Sequence, residues 1–487
     1  MPQLSRRTFL QSGACAAMAT AIPSQALANG HRRKNVLFIA TDDQNASLGC
    51  YGHPLAHTPN LDRLAGKGVR FDAAYCQYPW CSPSRSSLMT GLAPDTTRVY
   101  DLKTHFRQAL PNVVTIGQLF RESGYFSARV GKIYHYANPE QIGTDGLDDP
   151  ETWDWTYDPN GVDHTEEEKF LTDFTPTRGL GSAIAFYRSK ATDHEMTDGI
   201  GADHVIQLLR QYRTEPFFIA YGLYRPHVPW IVPEAYFERH PLDRIRAVPR
   251  HPGETQIAPP PAYWTYPPNF GMDDLQQRQA IQAYHASTTF MDAQVGRVLN
   301  ALETLGLAEN TLVVFWSDHG WLLGEHEQWM KQTLFEGATR VPVIFAGAGV
   351  PIRGGTCHRT IELLDLYPTI AEICGLAGEP HNLQGESLSR LLRDPGGLWS
   401  KPAVSQVQRY ATHQNPSLMG YSIRNERYRY TSWQDGKAGE ELYDYRTDPM
   451  EQRNLAADPS ISQVKFLLKT NLHDISEVRG RASVMSH

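Results

Sequence analysis

The sequence predicts an α/β protein with a large, mostly parallel sheet flanked by helices and a smaller C-terminal subdomain on a short antiparallel sheet. Three observations carry this reading. Short, continuously apolar runs recur and stop abruptly at polar residues, as buried parallel strands do. Segments with apolar residues at helical spacing lie between them, the alternation of a sheet covered on both faces. Near Asp394-Pro395 the texture changes to short, alternating Tyr- and Arg-rich runs, the mark of half-buried strands.

The chain opens with Ser5-Arg6-Arg7-Thr8-Phe9-Leu10, an Ala-rich apolar stretch and the small residues Ala26-Leu27-Ala28. This order reads as a twin-arginine signal peptide over residues 1–28, with the twin-arginine translocation machinery as partner and a periplasmic or secreted destination. The apolar run before Cys15 is too short, and Ser12 too polar, for a lipoprotein signal. No other segment reaches the ~18 consecutive apolar residues that span a bilayer, so no stable membrane insertion is expected.

A catalytic domain is expected over residues 31–393 and a C-terminal subdomain over 394–487. In the first, Asn35 to Ala40 is an apolar run ending in Thr41-Asp42-Asp43. Pro216 to Leu223 leads into Tyr224-Arg225-Pro226-His227, Thr311 to Trp316 ends at Ser317-Asp318-His319-Gly320, and Val341 to Phe345 is a fourth such run. Val114 to Glu122 and Ala286 to Leu305 carry helical spacing. Residues 138–193 and 249–268 show weak periodicity and read as loops decorating the scaffold, where substrate contacts often sit. In α/β sheets ligands gather beyond the carboxyl ends of the strands, where these acids and histidines lie.

A net charge of −7 over 487 residues leaves no basic footprint, so no nucleic acid is expected. An anionic substrate would need a local cationic pocket. Beyond the leader five cysteines remain, Cys50, Cys76, Cys81, Cys357 and Cys374. An odd count in an exported protein marks a thiol with another task. If that thiol is Cys81, the other four allow three pairings.

Cys81 stands in Pro79-Trp80-Cys81-Ser82-Pro83-Ser84-Arg85-Ser86-Ser87-Leu88-Met89-Thr90-Gly91. Pro83 suits the first turn of a helix and Ser82 its cap, which places residue 81 near a positive helix end. Adjacent carboxylates at the end of a strand, as at Asp42-Asp43, repel each other and favour a cation between them. Taken singly, such residues are more often a structural thiol and solvated or capping acids.

The extended run resembles the signature of the formylglycine-dependent sulfatases of the alkaline phosphatase superfamily, in which Cys or Ser two residues before Pro is oxidised to an aldehyde. Cys81, Pro83, Arg85 and the Leu88-x-Thr90-Gly91 tail match it. The resemblance implies an alkaline-phosphatase-like fold, sulfate-ester hydrolysis, maturation by a formylglycine-generating enzyme and a sulfated carbohydrate substrate. The hydrated aldehyde offers one hydroxyl to attack sulfur and a second whose deprotonation expels sulfate, an exit that Ser or Cys lacks.

By the same resemblance Asp42, Asp43, Asp318 and His319 are metal ligands beside residue 81, which contributes as formylglycine. Three carboxylates favour Ca2+ over Zn2+. Most sulfatases place Asn where this chain has His319. Lys132 becomes a sulfate-binding cation and His135 a partner of the hydrate, both in Gly131-Lys132-Ile133-Tyr134-His135. His227 would protonate the leaving oxygen, Lys331 would lie near the ester, and Arg85 would anchor the hydrate and balance the carboxylates.

Leu48-Gly49-Cys50-Tyr51-Gly52, Asp95-Thr96-Thr97-Arg98, Asp318-His319-Gly320-Trp321 and Gly324-Glu325-His326 are similar to the iduronate-2-sulfatase branch and its bacterial relatives. That branch implies an exo-acting enzyme on a terminal sulfated sugar, a 2-O-sulfated uronate, with Arg98, Trp321 and Trp329 as candidate sugar contacts. Two other readings share the motifs: a phosphonate or phosphate ester hydrolase of the same superfamily, and an inactive protein that binds sulfated glycans.

Overall fold

Alternate residues of Asn35–Thr41 point into different cores. Val36, Phe38 and Ala40 enter one hydrophobic cluster, and Leu37 and Ile39 enter another on the opposite face. This strand (β1) therefore sits inside a sheet covered on both sides, which is why its sequence is continuously apolar from Val36 to Ala40 rather than alternating. Each large side chain so buried contributes about 1.5–3 kcal/mol.

The computed structural model describes residues 33–481 except 251–252, 377, 379, 381 and 411–416. The expected leader, with Cys15, lies outside the described residues. The main sheet has eight strands: β1, β2 (Gly68–Tyr75), β3 (Phe126–Gly131), β4 (Trp155–Tyr157), β5 (Phe217–Gly222), β6 (Thr311–Ser317), β7 (Arg340–Gly347) and β8 (Gly355–Glu362). Their order is β8-β2-β7-β6-β1-β5-β3-β4. All pairings are parallel except those of β7, which runs against both β2 and β6.

The order places the carboxyl ends of β6, β1, β5 and β3 side by side along one edge of the sheet. The segments leaving those ends carry Asp318 and His319, Asp42 and Asp43, His227, and Lys132 and His135 respectively.

A helix over Asp274–Thr304 is longer than the periodicity of 286–305 indicates. Its start is fixed by a capping box, with Asp273 accepting from the Gln276 amide at 2.8 Å and Gln276 accepting from the Asp273 amide at 3.0 Å. The 138–193 stretch contributes β4 and Ala185–Ser189, which pairs with Thr172–Asp173 and with Trp230–Pro233 in a small sheet. The alternation after residue 394 corresponds to a four-stranded antiparallel sheet spanning Ala403–Arg409, Leu418–Arg424, Tyr428–Trp433 and Gly439–Asp444. A helix over Ser462–Arg481 follows it. No helix among the described residues is long and apolar enough to cross a membrane.

Candidate active site

The helix carrying the cysteine motif spans Cys81–Thr90 and is buried along its whole length. It begins two residues earlier than the capping pattern implies. Trp80 is the N-cap, in extended conformation and with no side-chain cap bond, so Ser82 lies inside the first turn rather than capping it. Gly91 closes the helix at φ +69°, a left-handed conformation that suits glycine. Cys81 thus occupies the first helical position, at the positive end of the peptide dipoles.

Three groups converge on its sulfur. Asp42 Oδ1 lies 3.4 Å away, His319 Nε2 3.3 Å and Lys331 Nζ 3.4 Å. Burial pushes the Cys81 thiol well above its ordinary range, with Asp42 adding to the effect and Lys331 and Lys132 opposing it. The unmodified residue is therefore a protonated thiol at neutral pH, and a weak nucleophile.

Asp42, Asp43 and Asp318 are completely buried. Asp318 Oδ1 accepts from the amides of Asp43 at 3.2 Å and His319 at 3.0 Å, while Oδ2 accepts from Arg85 Nε at 2.8 Å. Lys132 pairs with Asp42 Oδ2, and Lys331 pairs with Asp43 Oδ1 at 2.5 Å. Although burial works to raise it, the Asp42 carboxyl is held well below the usual range by Lys132, Arg85 and Lys331. Asp43 is pushed well above that range by burial and by its carboxylate neighbours, more than Lys331 restores. Lys331 stays charged despite its burial because Asp43 and Asp42 face it.

Four groups here could hold a metal ion. Asp43 Oδ2 is buried with no hydrogen-bond partner. His319 Nδ1 lies 3.0 Å from the Gly320 carbonyl, which can only accept, so the proton sits on Nδ1 and Nε2 offers a lone pair. That nitrogen is 3.4 Å from Asp43 Oδ1 and 3.6 Å from Asp318 Oδ2, beyond hydrogen-bond length but matched to donors around one ion. Burial lowers His319 to about 4, which keeps the ring neutral as a ligand requires. Asp42, Asp318 and His319 group with Cys81, and Asp42 and Asp43 group with Cys81 and His227, each with one donor atom mutually within 4.8 Å.

Arg85 spends its guanidinium on protein acceptors: Asp318, the carbonyls of Lys132 (2.7 Å) and Ile133 (3.0 Å), and that of Thr41 (3.0 Å). It locks the ends of β1, β3 and β6 together and balances their charge. His227 is set by a loop pinned from behind, where Asp198 accepts from the amides of Tyr224 (2.8 Å) and Arg225 (3.0 Å) and Asp163 pairs with Arg225 at 2.8 Å. Its Nδ1 lies 2.5 Å from the Val228 carbonyl, which leaves Nε2 facing Asp43 Oδ2 at 3.8 Å. Burial and Lys331 lower His227 well below its ordinary range, and burial with Lys132 does the same to His135.

A cleft of about 380 Å³ opens over this cluster, lined by Cys81, His135, His227 and Lys331 together with residues that sequence reasoning did not single out. These include Trp80, Asn138, Arg178 and Trp264. The three expected sugar contacts are placed elsewhere. Trp321 and Trp329 are fully buried in a hydrophobic cluster and do not line the cleft. Trp321 lies under Lys331, its ring 5.5 Å from Nζ, and Trp329 donates to Asn269 Oδ1 at 2.9 Å, so both support the hairpin that carries Lys331. Arg98 is exposed beside Tyr100, away from the lining.

The sulfatase family model matches residues 34–376, and a model for the C-terminal part of N-sulphoglucosamine sulphohydrolase matches 324–478. The chain belongs to the sulfatase family. As a member it is a sulfuric ester hydrolase. This sulfatase is 33% identical to iduronate 2-sulfatase of Mus musculus over 511 aligned residues, covering 87% of this chain and 91% of that one. A sulfatase of Formosa agariphila is 31% identical, with 96% and 93% covered. Among solved structures, phosphonate monoester hydrolase of Agrobacterium radiobacter superposes with a TM-score of 0.75 at 23% identity, covering 92% of this chain and 96% of that one, a likeness of fold.

The cysteines of this sulfatase form no disulfide among the described residues. Cys50, Cys76, Cys81, Cys357 and Cys374 are all free thiols.

Proposed function

We propose that this sulfatase removes the sulfate ester from a terminal sulfated sugar, a 2-O-sulfated uronate, using formylglycine made from Cys81 and a bound Ca2+. The observation that carries the reading is the convergence of Asp42, His319 and Lys331 on Cys81 Sγ at 3.3–3.4 Å. The likeness to iduronate 2-sulfatase supports the sugar class. A cleft of about 380 Å³ is at the small end of ligand pockets, which suits one terminal residue better than a threaded chain.

Asp42, Asp43, Asp318 and His319 would hold the cation, which when bound supplies positive charge to a sulfate oxygen. Residue 81 as formylglycine supplies, once hydrated, an oxygen nucleophile and an exit for sulfate. Lys132 and Lys331 present their ammonium groups to the same point, where fixed charge stabilises a transferring group without reorganisation. Their charges and that of Arg85 are offset by three carboxylates, so an added cation is needed before an anionic ester is attracted. His227 is neutral at rest, with Nδ1 committed to a carbonyl; an arriving anion raises its proton affinity, and Nε2 then carries the proton for the leaving oxygen. His135 lines the same cleft with Nδ1 unpartnered, available to accept from a hydroxyl at residue 81.

The twin-arginine motif Ser5-Arg6-Arg7-Thr8-Phe9-Leu10 supports export to the periplasm or beyond, after a formylglycine-generating enzyme has acted.

The superposition on a phosphonate monoester hydrolase favours a second reading, phosphonate or phosphate ester hydrolysis. Sulfate release from defined sulfated saccharides, together with rates on matched aryl sulfate, phosphate and phosphonate, tests both. Release from a 2-O-sulfated uronate, lost in Cys81→Ala, is expected. A phosphonate rate exceeding the sulfate rate would favour the alternative.

A further inference from the structure

Arg178 lines the same cleft as Cys81, His227 and Lys331 yet makes no ion pair among the described residues. Its Nε donates to the Ser182 carbonyl at 2.7 Å, and the face of its guanidinium lies 4.6 Å from the Phe270 ring centroid. These contacts use one edge and one face, and among the described residues they leave the terminal nitrogens without a protein acceptor. Burial alone acts on this cation, and no carboxylate opposes it. Its loop packs closely on the backbone of Asn138, where a Cβ at Gly181 would meet the carbonyl oxygen at 2.5 Å.

Asn138 is the second, independent observation. Its side chain lines the cleft, is almost wholly buried, and both Oδ1 and Nδ2 lack partners. A buried amide with neither group satisfied carries a desolvation penalty that a bound ligand would relieve. Arg178 offers a planar pair of donors, the geometry that matches a carboxylate edge on. Asn138 offers a donor and an acceptor, the match for a sugar hydroxyl.

We propose that Arg178 and Asn138 form a recognition subsite for the carboxylate and a neighbouring hydroxyl of the sugar ring that bears the scissile sulfate. This deepens the sulfated-uronate reading and rests on it. The subsite separates two tasks: the cluster at residue 81 handles the sulfate, and Arg178 selects which sugar brings it.

The test compares two substrates with wild-type and variant full-length enzyme, co-produced with a formylglycine-generating enzyme and loaded with Ca2+. One substrate is a 2-O-sulfated iduronate glycoside, and the other is its carboxyl-reduced, neutral counterpart with the same sulfate. Wild type is expected to favour the uronate, and Arg178→Gln to shrink that preference about 10–100-fold, the worth of a charged hydrogen-bond pair, mainly through KM. Arg178→Lys, which keeps charge but loses the planar fork, should fall between and guards against a folding defect. Asn138→Ala should weaken both substrates alike, since both keep the hydroxyl. An equal loss on both substrates in Arg178→Gln, or an intact preference, overturns the subsite. A wild type that cleaves the neutral sugar as well as the uronate also overturns it. A wild type that cleaves neither refutes the sulfated-uronate reading itself, and the subsite with it.

Discussion

His319 Nε2 lies 3.3 Å from Cys81 Sγ, and the proton on its far nitrogen is committed to the Gly320 carbonyl at 3.0 Å. The ring is thus held in the one tautomer that turns a lone pair toward residue 81 and the three carboxylates. Were His319 to hold a cation, support of its ring from behind in this way would be worth about 10–100-fold in metal affinity.

His319→Ala should therefore weaken Ca2+ binding about 10–100-fold, read by calorimetric titration of the metal-free protein. His319→Asn, which restores an oxygen donor, should recover most of it. Unchanged affinity in the alanine variant would remove His319 from the ligand set.

Chelation should destabilise the fold as well as stop turnover. A cation present at about 1,000 times its Kd stabilises by about 4 kcal/mol, so its removal should lower the thermal midpoint measurably. Re-adding Ca2+ should restore both readouts.

Arg85→Gln should cost about 3–5 kcal/mol in denaturant unfolding, because it strands the buried Asp318 carboxylate without its partner. Arg85→Lys should recover little, since one ammonium cannot serve Asp318 and three carbonyls on different strands.

A histidine cluster away from the site contributes to the loss of stability in acid. His285 stacks on His53 at 4.9 Å and lies 5.7 Å from His240, with Arg239 and His57 facing the same group. Burial lowers His240 to about 4, and His57 and Arg239 add to it. The unfolded chain takes up this proton near pH 6.5, so stability present above that pH is lost as pH falls from about 6.5 through about 4. The loss from His240 is about 3 kcal/mol. His240→Gln should flatten the unfolding free energy across that window, measured by denaturant titration at several pH values. An unaltered slope would contradict the assignment.

Much of this was legible in the sequence for a simple reason. A buried parallel strand is apolar to its last residue, so Asp42 and Asp318 mark where β1 and β6 end. The cysteine motif likewise announced a helix start and a reaction class. Strand direction leaves no trace in such a run, and the reversal of β7 had to be seen. Trp321 and Trp329 were misjudged because a tryptophan beside a catalytic segment looks the same whether it faces ligand or core. Arg178 and Asn138 were invisible for the opposite reason: they come from an irregular stretch where no periodicity singles out a residue. The significance of Asn138 lies in an amide without a hydrogen-bond partner and that of Arg178 in a cation without an ion pair among the described residues, and only tertiary structure displays either.

The most direct measurement is mass spectrometry of the peptide containing residue 81, from protein co-produced with a formylglycine-generating enzyme, paired with sulfate release by the same sample. The account predicts an aldehyde at residue 81 and activity that scales with its fraction. An intact Cys81 thiol in fully active enzyme would contradict it.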